Sequence, residues 1–419
     1  MRNRLIVRSE YSQNVLILMT GTTISQAIPV VITPILTRIY TPEDFGIYAI
    51  FVAIITILGT IVSGRYELAI LLPERDDDAI NIFALGLLII ILMVMITVII
   101  VMVFNDSILL LLNNQNMQSW LYFIPVAVCF IGCHNLLIYL NNRFKDFKGL
   151  SNSFIIKSSA SALIQVSIGI IKQGATGLIS GQIFSHLISN IWLILIMSKH
   201  KINLSNINKT KIIEMAKRYS DFPKYSLPAI LANKLTNHLS NIIIATIFSV
   251  TTLGLYSHVQ RVLGLPSTLI GTSIGRVFFH EANNEKQHTG MAIKTFKKTI
   301  LKLLFIGVPI FGLLFIIVEN LFAFVFGETW RIAGQYAQIA IPLFFVQFVV
   351  SSISSIDTIM EKQNLDLLFN IVLLFISMIV IVFSSNYSFK IFLTNWTISI
   401  SLLYVCYGYL LMKMSEAKI

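Results

Sequence analysis

The run AINIFALGLLIIILMVMITVIIVMVF at residues 79–104 carries no charged side chain. A hydrocarbon core about 30 Å thick needs roughly 20 apolar residues of helix to cross it. Backbone that enters it must satisfy its own N–H and C=O groups, which leaves helices or a closed barrel. Eleven further apolar runs of membrane-crossing length lie at 12–37, 45–63, 119–141, 152–171, 174–198, 226–249, 253–275, 299–318, 333–356, 365–384 and 389–412, divided by short polar breaks. The pattern predicts an all-α polytopic membrane protein with about 12 transmembrane helices. A composition of 56% hydrophobic against 12% charged residues lies far outside that of a soluble domain.

The opening MRNRLIVRSEYSQ precedes an apolar run as in a signal peptide. That run continues through Pro29 and Pro34 to Arg38 with no small-residue cleavage site, so it reads as a retained first helix. Cys129, Cys133 and Cys406 fall inside expected spans and read as small packing residues rather than disulfides or metal ligands. The net charge of +11 is explained by position and needs no nucleic acid. With the N-terminus inside, inner segments collect Arg2, Arg4, Arg8, Arg65, Arg75, Arg143 and most lysines, whereas outer ones hold only Arg38, Lys172, Arg331 and Lys390. The positive-inside rule then places both termini in the cytoplasm.

The longest inner segment, SKHKINLSNINKTKIIEMAKRYSDFPK, divides the chain into a first bundle at 1–200, a basic cytoplasmic linker at 201–225 and a second bundle at 226–419, each bundle with six helices. Ile212, Ile213, Ala216 and Tyr219 can share one face of a short helix lying on anionic headgroups, with Lys211, Lys217 and Arg218 around it. A simple topogenic linker fits the segment equally. The halves also echo one another. PEDFGIYAI and VTTLGLYSH align Gly46, Ile47 and Tyr48 with Gly254, Leu255 and Tyr256, and each is followed by a Gly-Arg pair, Gly64–Arg65 and Gly275–Arg276. A duplicated six-helix unit follows, with a substrate path expected at the repeat interface. Pro29 and Pro34 in the first helix, Pro228 at the start of the seventh and Pro266 in the eighth are expected to interrupt their helices and make hinges.

AILANKLTNHLSNIIIATIF, residues 229–248, places Lys234 and His238 on one helical face in an apolar span. His258 and Arg261 are similarly spaced on the next helix, and Lys157 lies near the start of the fifth. A charge at mid-bilayer costs about 2.5–3.5 kcal/mol on insertion scales, so these side chains are expected to face a hydrated interior. Glu67, Glu281, Asp357 and Glu361 all fall near helix ends. A cavity with cations and little internal neutralisation suits an anionic cargo such as a phosphate or pyrophosphate. His238 and His258 are also candidates for titration, whereas His134 and His186 read as core hydrogen-bonding residues. No P-loop, HExxH or nucleophile elbow occurs, and DFG at 44–46 stands without any other kinase element. No cofactor or metal site is expected.

With RIYTPEDFGIYAI at 38–50, GRYELAILLPERDD at 64–77 and GLYSHVQRVLGLPSTLIGTSIGRVFFHEA at 254–282, the chain resembles the bacterial polysaccharide-transport flippases. It is most similar to Wzx-type O-antigen and capsule repeat-unit flippases of the MATE-like MOP superfamily. The resemblance runs through both halves. It implies two six-helix bundles facing each other in a V, alternating access, and transfer of undecaprenyl-pyrophosphate-linked oligosaccharide from the cytoplasmic to the outer leaflet of the inner membrane. Membrane lipids, a glycan polymerase and a chain-length regulator are the implied partners in lipopolysaccharide or capsule synthesis, with an H⁺ or Na⁺ gradient as energy source. A cationic central cavity in the family agrees with Lys157, Lys234 and Arg261 as the pyrophosphate grip. Asn233, Asn237, Asn241, Gln260 and Tyr256 are then candidates for sugar contact. A MATE-type exporter shares the fold but is expected to carry a mid-membrane carboxylate. A membrane glycosyltransferase or polymerase is expected to carry acidic or histidine residues in large outer loops.

Overall fold

The computed structural model describes residues 2–172, 174–199 and 206–417, with the side chains of 2–12, 15, 229, 233, 236, 237, 239, 363, 364 and 367 left out, and no strand occurs among them. The chain divides into two compact units, Met1–Thr246 and Ile247–Ile419. The first holds α1 (Arg2–Ile39), α2 (Pro42–Ile61), the single turn α3 (Tyr66–Ala69), α4 (Asp76–Leu112), the short α5 (Gln118–Leu121), α6 (Ile124–Arg143), α7 (Phe147–Ile171), α8 (Thr176–Met197), α9 (Lys209–Arg218) and α10 (Leu227–Ile247). The second holds α11 (Val250–Leu263), α12 (Thr272–Thr289), α13 (Ile293–Phe326), α14 (Arg331–Ile353), the turn α15 (Ile356–Ile359), α16 (Gln363–Ser384) and α17 (Phe389–Glu416). Among the described residues ten helical stretches are long and apolar enough to cross a membrane. The remaining two expected runs, 226–249 and 365–384, are occupied by α10 and α16.

The internal echo has a local structural basis. Thr41 caps α2 by accepting from the Asp44 N–H, and Asp44 returns a bond to the Thr41 backbone, a complete capping box. Ser249 caps α11 by accepting from the Thr252 N–H. Gly46 and Gly254 each stand five residues past their cap, so the aligned triads occupy the same register in their helices. The Gly-Arg pairs behave differently. Gly64 and Arg65 both adopt left-handed backbone, φ +63° and +66°, and they divide α2 from α3. Gly275 lies inside α12, where a Cβ would come 2.9 Å from the carbonyl oxygen of Ser352 on α14. One glycine makes a turn, whereas the other permits close helix approach.

The first unit is built on close contacts of α7 with α1 and α8. A Cβ on Gly21 of α1 would overlap Ser151 Oγ and reach 3.0 Å from Ser151 Cα. Ser151 Oγ donates to the Ile17 carbonyl at 3.0 Å, closing the same contact. At the α1–α2 corner Tyr40 Oη donates to the Gln165 carbonyl of α7 at 2.6 Å. Burial and the nearby Asp44 carboxylate push the Tyr40 phenol up to about 12, so it remains a donor across neutral pH. Arg143, ending α6, clamps the α3–α4 connection through Asp76 Oδ1 at 2.8 Å and the carbonyls of Ile70, Pro73 and Glu74.

Three expectations change. The helix at 79–104 does not end there: after a kink at Phe104, α4 continues to Leu112 and stops at left-handed Asn113, because ILLLL at 108–112 extends the apolar helix. The linker does form a helix, but α9 is docked on protein, with Met215 only 2% exposed, the Ala216 carbonyl accepting from Tyr66 Oη at 2.9 Å and α4 alongside. Its inward face is Ile212, Met215, Ala216 and Tyr219, and Ile213 is exposed. Finally, α1 is helical through both Pro29 and Pro34, which therefore do not break it. Pro266 does coincide with a change, a π-helical turn at Ser267–Gly271, and a similar turn at Phe222–Ser226 precedes Pro228.

In the second unit Lys286 of α12 donates to the Ile359 carbonyl at 2.7 Å and to Glu361 Oε1 at 2.8 Å. That bond holds the Glu361 carboxyl below its ordinary range. The α1–α7 contact supplies a direct test of the packing. Gly21→Val should lower the melting temperature of the purified protein, with a cost of about 1–3 kcal/mol from overpacking. Gly312→Ala, where a Cβ meets nothing within 4 Å, should leave it unchanged or raise it.

Candidate functional site

Helices α6, α7 and α8 bring three basic side chains together in the first unit. Asp146 caps α7 by accepting from the Gly149 N–H at 2.8 Å, and the helix then carries Lys157 alongside α8. Ser189 Oγ donates to the Ser153 carbonyl at 3.1 Å and Trp192 Nε1 to the Gly149 carbonyl at 3.2 Å, fixing the α7–α8 register. On α8, His186 and Asn190 lie one turn apart, and His134 reaches them from α6.

The hydrogen bonds assign the imidazole protons. Asn190 Nδ2 donates to the Phe130 carbonyl at 2.9 Å, which leaves Asn190 Oδ1 as the acceptor facing His134 Nδ1 at 3.0 Å. His134 therefore carries its proton on Nδ1. His186 Nδ1 lies 2.9 Å from the Gln182 carbonyl, which can only accept, so this ring is also protonated on Nδ1. The two rings meet edge to face with centroids 5.4 Å apart. They are 3% and 8% exposed, and Lys157 lies within electrostatic range of both. His134 Nε2 is buried with no hydrogen-bond partner among the described residues. The expected core hydrogen bonds of His134 and His186 are present, but the sequence reading missed their meeting with Lys157. The only sequence signal was one basic residue in each of three neighbouring apolar runs.

Lys234 and His238 are half-buried on α10 within electrostatic range of one another. One turn on, Asn241 Oδ1 is buried without a partner among the described residues. The side chains of Asn233 and Asn237 lie outside the described residues. In the second unit Arg261 and Gln260 are half-buried near the end of α11.

Their neighbours depart from expectation. His258 is 1% exposed and enclosed by Phe322, Phe326 and Trp330, with centroids at 5.8, 4.4 and 4.7 Å, so it packs in an aromatic nest rather than facing water. Tyr256 is likewise buried, against Phe389 at 5.7 Å. Both point inward because α11 buries the stripe Leu255, Tyr256, His258 and Val259. The two buried carboxylates, Glu67 and Asp357, are spent locally. Glu67, 2% exposed, pairs with Arg65 at 3.1 Å and accepts from Ser63, and buried Asp357 accepts from Tyr407 Oη at 3.4 Å. Among the described residues no group of His, Cys, Asp and Glu is arranged to hold a metal ion.

A polytopic helical membrane protein with a buried basic cluster is thereby defined. The family model described as polysaccharide biosynthesis protein matches residues 35–334, and the chain belongs to that family. A lipid II flippase MurJ structure in an inward closed conformation is similar with a TM-score of 0.71 at 14% identity, covering 96% of this chain and 90% of the other. An inward-facing multidrug resistance MATE family transporter of the MOP superfamily is similar with a TM-score of 0.64 at 12% identity, covering 95% and 96%. At these identities the likeness establishes the shared MOP fold. No curated protein matches the chain. Family and fold together support a membrane flippase or transporter.

Asn190 is the joint of the cluster. Asn190→Ala removes both of its bonds and leaves His134 Nδ1–H unpaired, while the Phe130 carbonyl keeps its helical bond within α6. It should cost about 1–3 kcal/mol, read as a lower unfolding midpoint in detergent.

Proposed function

We propose that this protein is an inner-membrane flippase that carries undecaprenyl-pyrophosphate-linked oligosaccharide repeat units from the cytoplasmic to the outer leaflet by alternating access, with both termini in the cytoplasm. The observation that carries the reading is the α6–α7–α8 cluster, in which Lys157 and two imidazoles meet and Asn190 is the polar partner of His134. A positive site at membrane depth attracts a negative headgroup, and a lysine ammonium donates charge-assisted bonds to phosphate oxygens. Membership of a polysaccharide biosynthesis family supports a glycan as the remainder of the cargo.

The physical task fits a protein passage. Each sugar hydroxyl taken unpaired into apolar surroundings costs about 2–7 kcal/mol, so a repeat unit crosses lipid unaided only very slowly. A polar interior accepts the headgroup while the polyprenyl tail remains in the bilayer. Lys157, Lys234 and Arg261 hold the pyrophosphate, and Asn241 and Gln260 bond sugar hydroxyls. Tyr256 and His258 are buried within the second unit. An H⁺ or Na⁺ gradient drives the cycle. The chain makes no glycosidic bond, and a glycan polymerase and chain-length regulator act on what it delivers.

The test is a leaflet-resolved assay in proteoliposomes with a labelled undecaprenyl-pyrophosphate-linked oligosaccharide. Wild-type protein should move the label to the opposite leaflet with its chemical structure unchanged. Lys157→Gln and the pair Lys234→Gln/Arg261→Gln should each reduce the rate at least tenfold, equivalent to about 1.4 kcal/mol or more of activation free energy. Undiminished transfer in both variants would refute the grip, and newly formed glycosidic bonds would refute the flippase.

A further inference from the structure

We propose that His134 and His186 complete, with Lys157, an anion site that takes up a proton together with its anion. This rests on the reading of Lys157 as the pyrophosphate grip and adds a proton link to that site.

The geometry supplies the basic atoms. Each imidazole has committed Nδ1–H to a protein acceptor, His134 to Asn190 Oδ1 and His186 to the Gln182 carbonyl. The remaining lone pair of each ring is therefore on Nε2. His134 Nε2 is buried and has no hydrogen-bond partner among the described residues. Protonation there would create a second donor and a second positive charge beside Lys157.

Among the described residues, no acid on the packed helices lies within electrostatic range of either imidazole. α8 contributes no ionisable side chain other than His186, and α7 adds Lys148 in its first turn and Asp146 at its cap, where the carboxylate accepts from the Gly149 N–H. α2 carries Glu43 and Asp44 in its first turn and Tyr48, whose hydroxyl donates to Gln182 Oε1 at 3.2 Å. α4 carries Asp76, Asp77 and Asp78 in its first turn and Asp106 beyond the Phe104 kink. α3 brings Glu67, paired with Arg65, and α6 itself carries Cys129, Cys133, Tyr139 and Arg143. Against α7, the described side chains of α1 include only Arg38 as a charge, in the last turn. A phosphate-class anion on Lys157 supplies the missing negative charge, and it favours the charged form of the imidazoles beside it. By linkage, an anion that promotes protonation is bound more tightly when protons are abundant.

The test uses purified full-length protein and a dimethyl P1,P2-diester of pyrophosphate, whose two charges do not titrate near neutrality. Calorimetry in buffers of different ionisation enthalpy should show uptake approaching one proton per anion. Affinity should weaken up to about tenfold per pH unit on going from about pH 6 to about pH 8. Lys157→Gln should abolish binding, whereas His134→Gln and His186→Gln should flatten the pH dependence, an effect that a merely structural role would not produce. Zero proton uptake by wild-type protein, an unaltered slope in both histidine variants, or no binding of the diester would overturn the inference. Leaflet transfer is scored separately. Transfer of lipid-linked glycan without proton uptake defeats the proton link alone, and proton-linked binding without transfer defeats the flippase reading alone.

Discussion

Polar groups carried to bilayer depth must find their partners within the protein, because lipid offers none. That constraint explains why so many contacts in the first unit are single polar bonds between helices. Tyr40 reaches the Gln165 carbonyl, Ser189 the Ser153 carbonyl, Trp192 the Gly149 carbonyl and Asn190 the Phe130 carbonyl. Each bond removes a donor from hydrocarbon and fixes the register of two helices. Small residues let the backbones come close enough for such bonds to form, as Gly21 does against Ser151. The basic cluster inherits its geometry from this framework. Asn190 can orient His134 only because Phe130 holds its amide in one sense.

The same constraint separates the charged residues into two kinds. Glu67 and Arg65 satisfy one another beside α3, and Lys286 is spent on Glu361 and the Ile359 carbonyl. Such groups brace turns. Lys157 differs, since the ionisable groups near it on α6 and α8 are the imidazoles of His134 and His186 rather than carboxylates. A positive cluster of this kind has an electrostatic demand that an anion meets. His258 shows the opposite solution, in which aromatic rings enclose an imidazole and withdraw it from water.

Much of the fold was legible because helix length and apolar content are properties of contiguous sequence. Each of the twelve apolar runs falls on a helix, and the capping pattern that begins α2 recurs at α11. Boundaries were less legible where the chain changes direction without polar residues, as at Phe104, or keeps helical form through prolines, as at Pro29 and Pro34. The site was only partly legible. Lys157 stood out as a charge in an apolar run. Its companions His134 and His186 did not, since nothing in a linear pattern tells which faces of α6, α7 and α8 turn toward each other. Tyr256 and His258 were misread for the same reason: a polar residue on an amphipathic helix gives no sign of whether rings from α13 and its neighbourhood cover it.

The sequence by itself determined that this chain lives in a membrane as a set of helices, because the free energy of placing an apolar segment in hydrocarbon is a local sum over its residues. Only the tertiary structure decided that α9 docks on α4, that His258 is sealed among aromatic rings, and that Lys157 shares its surroundings with two imidazoles. Those outcomes depend on helix rotation and register. They are set by close packing and by hydrogen bonds between residues as far apart as His134 and Asn190, which no stretch of chain encodes alone.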